Sequence, residues 1–77
     1  MKKSTELMLQ QFVIRTIMVQ ENPFTEKQIV SATFRAYSLS TDEKKVAEGI
    51  VKDSIANMAR SGMIKRNKNT GSFVRAK

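Results

Sequence analysis

At Gly62 the apolar periodicity of the chain changes from helical to alternating, and that switch fixes an order of elements that any fold must respect. Across residues 42–61, Val46, Ala47, Ile50, Val51, Ser54, Ile55 and Met58 fall on one side of a helical wheel. Lys45, Gly49, Lys52, Asp53, Ala56 and Arg60 fall on the other. Beyond Gly62, residues 63–67 and 72–76 alternate as strands do, with Lys68, Asn69, Thr70 and Gly71 between them. A glycine just past Arg60 and Ser61 also suits the left-handed residue that closes a helix. The tail therefore reads as a long amphipathic helix feeding a β-hairpin over about 63–76.

Upstream the pattern is helical throughout. A first helix over about 5–20 starts near Ser4 or Thr5 and contains neither Gly nor Pro. Asn22 and Pro23 turn the chain, and Thr25 with Gln28 has capping-box spacing for a second helix over about 26–37. Phe24 before that cap is placed to pack on Ile29 as a hydrophobic staple. Ser40 with Glu43 repeats the spacing at the start of the third helix. The expected fold is mostly α with a small β-hairpin, an α+β domain of order α-α-α-β-β.

The first helix is apolar almost all round. Leu9, Phe12, Val13 and Ile17 form one stripe, Leu7, Ile14 and Met18 a second, and Met8 and Val19 a third. Either the remaining elements wrap it fully or a partner covers part of it. Full wrapping is difficult for 77 residues, so a homodimer through Leu7, Ile14 and Met18 is the expectation.

That length leaves room for one domain over 1–77. With no Cys and no His, disulfides are impossible and a structural metal or a cofactor site is not expected. The same absences, with no Gly-rich phosphate loop and with scattered acids, leave no catalytic constellation, so no enzyme is expected. Met1-Lys2-Lys3 has the outline of an export signal, but Glu6, Gln10, Gln11 and Arg15 interrupt the apolar stretch it requires. No run reaches membrane-span length, and a cytoplasmic location is the expectation.

The formal charge of +7 is a local feature. Residues 1–59 carry eight basic and seven acidic side chains, net +1, whereas residues 60–77 carry Arg60, Lys65, Arg66, Lys68, Arg75 and Lys77 with no acid, net +6. Such a patch suits a polyanion.

The stretch from Val51 to Arg66, followed by Gly71-Ser72-Phe73-Val74, resembles the end of the recognition helix and the wing of bacterial winged helix-turn-helix regulators. Met58, Gly62, Met63, Ile64 and Lys65 fill the positions where that family has an apolar residue, a glycine, two apolar residues and a base. Phe24-Thr25 leading into Ile29 is similar to the entry to its second helix. The resemblance implies a transcriptional regulator that binds double-stranded DNA, with Lys45, Gly49 and Lys52 facing the major groove and the wing on the backbone or minor groove.

In the wing, Lys65, Arg66, Lys68 and Arg75 crowd the hairpin, Arg60 stands at its base, and Asn69, Thr70 and the tip amides are available to phosphate oxygens. Ile64, Phe73 and Val74 are expected to anchor it to the core. Against groove insertion stand Asp42, Glu43, Glu48 and Asp53. The rival reading is an interaction module, an adaptor or inhibitor whose basic patch meets an acidic protein; RNA binding would want more exposed aromatics than Phe73 and Tyr37 supply.

Overall fold

Three helices and a hairpin follow one another in the computed structural model, which describes residues 3–76. They are α1 (Lys3–Met18), α2 (Glu26–Ala36), α3 (Thr41–Arg60), β1 (Ile64–Arg66) and β2 (Phe73–Arg75). Met1, Lys2 and Lys77, the last of these a member of the basic tail, lie outside the described residues. The α+β order expected from the sequence is the order observed.

Both capping boxes form. Thr25 Oγ1 accepts from the Gln28 amide at 3.2 Å while Gln28 Oε1 accepts from the Thr25 amide at 3.0 Å, and Ser40 and Glu43 repeat the exchange at 3.3 and 3.0 Å. The backbone and side-chain hydrogen bonds from Ser40 hold the Glu43 carboxyl below its ordinary pKa.

The helix ends are equally explicit. At the end of α3, the Met63 amide donates to the Met58 carbonyl at 2.9 Å and the Gly62 amide to Ala59 at 3.2 Å. This is the Schellman pair, and Gly62 supplies the left-handed residue it needs, at φ +82°. At the end of α1, the last four carbonyls all find donors: Val19 N–H takes Arg15, the Gln20 side chain takes Thr16, Gln20 N–H takes Ile17. The fourth, Met18, accepts from Arg75 Nη1 of the hairpin at 2.6 Å.

The core joins Leu9, Val13 and Ile17 of α1 to Phe24, to Ile29 of α2, to Ala47, Ile50, Val51, Ile55 and Met58 of α3, and to Ile64 of β1. Phe12 meets Tyr37 edge-on at 5.3 Å, which places Tyr37 against the core. Val46 departs from the expected buried side and is exposed. So are Leu7, Met8, Ile14, Met18 and Val19, so the other elements do not wrap α1.

Phe24 does more than staple a helix. Its amide donates to Phe73 O at 2.9 Å and its carbonyl accepts from the Phe73 amide at 2.6 Å, an antiparallel bridge that adds a third backbone segment beside β2. The two rings stack at 5.9 Å between centroids, and Phe24 is almost fully buried. One bridge pair in a Pro-flanked turn carries no alternation, which is why it does not read as a strand.

Candidate nucleic-acid interface

Strand geometry divides the hairpin's cations. β1 and β2 pair antiparallel with Ile64 opposite Arg75, Lys65 opposite Val74 and Arg66 opposite Phe73. Opposite residues share a face and neighbours alternate, so Ile64, Arg66, Phe73 and Arg75 lie on one face and Lys65 and Val74 on the other. Ile64 is buried and Phe73 packs against the core, so the first face is the one turned to the helices. Val74 points outward, exposed, and does not anchor the hairpin as expected.

The arginines on the inner face separate further. Arg66 lines a depression with Lys52 of α3, Glu26 of α2, Gly71 and Phe73. Arg75 turns the other way, to the Met18 carbonyl, where its charge meets the negative end of the α1 dipole. Arg75 thus has a structural partner that sequence reasoning, which grouped it with the phosphate ligands, does not supply.

On α3, Lys45, Gly49 and Lys52 face a cleft whose other wall is Glu26, Lys27 and Val30 of α2. Lys52 belongs to both hollows, so Lys45, Lys52 and Arg66 form one basic strip running from α3 onto the hairpin, with Lys27 across from it. Among the described residues a Cβ on Gly49 would meet nothing within 4 Å, so none of them requires glycine there. That position sits mid-helix, where Gly costs about 1 kcal/mol relative to Ala.

Arg60, Lys65, Lys68 and Asn69 are exposed but line neither hollow. The hairpin tip also differs from expectation. Asn69 N–H donates to Asn67 Oδ1, Gly71 N–H to Asn67 O, Asn67 N–H to Ser72 O and Ser72 N–H to Thr70 Oγ1. Of the tip amides, those of Asn69 and Gly71 therefore serve the loop itself, and the Thr70 hydroxyl is engaged by Ser72.

The acids also redistribute. Asp53 lines the groove between α1 and α3 with Gln10, Ile14 and Asn57, away from the Lys45–Lys52 cleft. Asp42 and Glu43 sit in the first turn of α3, and Glu48 remains in the cleft. Glu26, which periodicity does not single out, lines both the cleft and the Arg66 depression.

Leu7, Ile14 and Met18, spaced at seven and four residues, make an exposed stripe on α1 at 55, 44 and 41 % exposure. Among the described residues no helix is long and apolar enough to cross a membrane. Compared with known family models, curated proteins and solved structures, the chain matches none.

Proposed function

We propose that this chain is a winged-helix protein that binds double-stranded DNA and serves as a cytoplasmic transcriptional regulator. The observation that carries this reading is the continuity of Lys45, Gly49, Lys52 and Arg66 from the outer face of α3 onto the hairpin. A 20-residue helix is about 30 Å long and fits a major groove about 12 Å wide. Gly49, free of any packing duty, lets that helix face approach base edges or backbone closely, while Lys45, Lys52 and Arg66 reach phosphates or guanine edges. Lys68 and Asn69 at the tip extend the contact, Lys65 and Arg60 add charge at the periphery, and Arg75 serves the fold.

Fluorescence-anisotropy titration of a random duplex at several salt concentrations tests this. Three phosphate contacts give a log–log salt slope of about −2.7. Failure to bind at about 100 mM salt would overturn the DNA reading and favour the interaction module, with an acidic protein surface as its partner.

The exposed α1 stripe supports a second element of the proposal, a homodimer. Leu7, Gln11, Ile14 and Met18 recur at alternating steps of four and three, the spacing of a seam between two helices, and Gln11 gives that seam one polar layer. Sedimentation velocity is expected to return twice the chain mass for the wild type and the single mass for Ile14→Asp with unchanged helicity. A wild-type monomer at tens of micromolar removes the dimer.

A further inference from the structure

An acid stands among the cations of the proposed interface. Glu26, the first residue of α2, lines the α2–α3 cleft with Lys45 and Lys52, the depression at the hairpin with Lys52 and Arg66, and a third, apolar hollow beside Ala56 and Phe73. All three hollows share Glu26 and Lys52.

The helix N-terminus accounts for an acid at this position, since a carboxylate there gains a few tenths of a kcal/mol to about 1 from the helix dipole. It does not account for the neighbours. The Thr25–Gln28 capping box already serves the first turn, and Glu26 shares the walls of these hollows with Lys45, Lys52 and Arg66, the cations that the duplex reading assigns to phosphates.

From this juxtaposition we infer that Glu26 is a specificity-determining residue of the interface, one that opposes indiscriminate backbone binding and accepts a hydrogen bond from a cytosine amino group. The inference rests on the duplex reading above. Charges act over about 10 Å at 0.1 M salt, and a carboxylate on the wall that Lys52 and Arg66 also line offsets part of their attraction for any phosphate. Where the duplex presents a cytosine N4 amine in the major groove, the same carboxylate gains a partner. Sequences lacking that amine meet only the repulsion. Affinity for random DNA is lowered more than affinity for the preferred site, and the ratio between them widens.

The test compares wild type with Glu26→Gln on a random duplex across a salt series and in selection from a randomised duplex pool, with circular dichroism to check that both are folded. The substitution keeps the shape of the side chain and removes its charge. The variant is expected to bind the random duplex about three- to tenfold more tightly at about 100 mM salt, with a steeper salt dependence. The wild-type selection is expected to enrich a C·G pair at one position and the variant's selection to lose it. Equal or weaker binding of the random duplex by the variant, or selections that do not differ, would overturn the role of Glu26 and leave the duplex reading standing. A wild type that binds no duplex would remove both.

Discussion

Phe24→Ala is expected to leave the protein largely unfolded at ambient temperature. The side chain is 1 % exposed and belongs to the core that joins all three helices to the hairpin. Truncating a buried Phe costs about 3–5 kcal/mol, the lost transfer energy plus the cavity left behind. Domains of this length hold few kcal/mol in reserve, since one modest core supplies most of their stability. Phe24 is also the ring on which Phe73 stacks, at 5.9 Å, so its loss loosens the hairpin as well as the helices. Urea unfolding followed by far-ultraviolet circular dichroism measures this directly. A loss under about 1 kcal/mol would mean that Phe24 is not the core residue described above.

Arg66→Glu and Lys65→Glu make the sharpest test of the interface, because they change the same charge by the same amount one residue apart. Only Arg66 shares a face with Phe73 and a hollow with Lys52; Lys65 lies on the opposite face with Val74. Arg66→Glu is expected to weaken random-duplex binding at least tenfold at about 100 mM salt and to reduce the salt slope by about one. Lys65→Glu is expected to cost less than about threefold, the share of a screened peripheral charge. Equal losses would mean that net charge, not the strip from α3 to the hairpin, governs binding. Neither side chain is buried, so both variants should keep the wild-type melting transition.

Much of this architecture was legible before any coordinate. Local chemistry wrote the boundaries: two capping boxes, a helix-ending glycine and a switch of period each depend on residues a few positions apart, and each forms as read. What was not legible is pairwise and distant. Phe24 reads only as the staple of α2 because its other partner, Phe73, is far along the chain. Arg75 reads as a phosphate ligand because nothing local shows the Met18 carbonyl beside it. Asp53 sits with Lys52 on a wheel, yet packing turns it toward α1, and Glu26 joins the wall of the cleft only when α2 is laid against α3. Composition counted the hairpin's cations; the strand register was needed to say which of them face α3.

The bridge between Phe24 and Phe73 spans 49 positions of sequence, and that separation orders the folding reaction. Helices form and a short hairpin closes within microseconds, because both draw on neighbouring residues. Seating β2 against the segment behind α1 must instead close a long loop, whose entropy is lost before the aromatic stack and two hydrogen bonds are gained. Without the bridge, Phe24 lacks the Phe73 ring and both of its hydrogen-bond partners on the hairpin. Opening of the hairpin therefore bares apolar surface of the core, and its return covers that surface again.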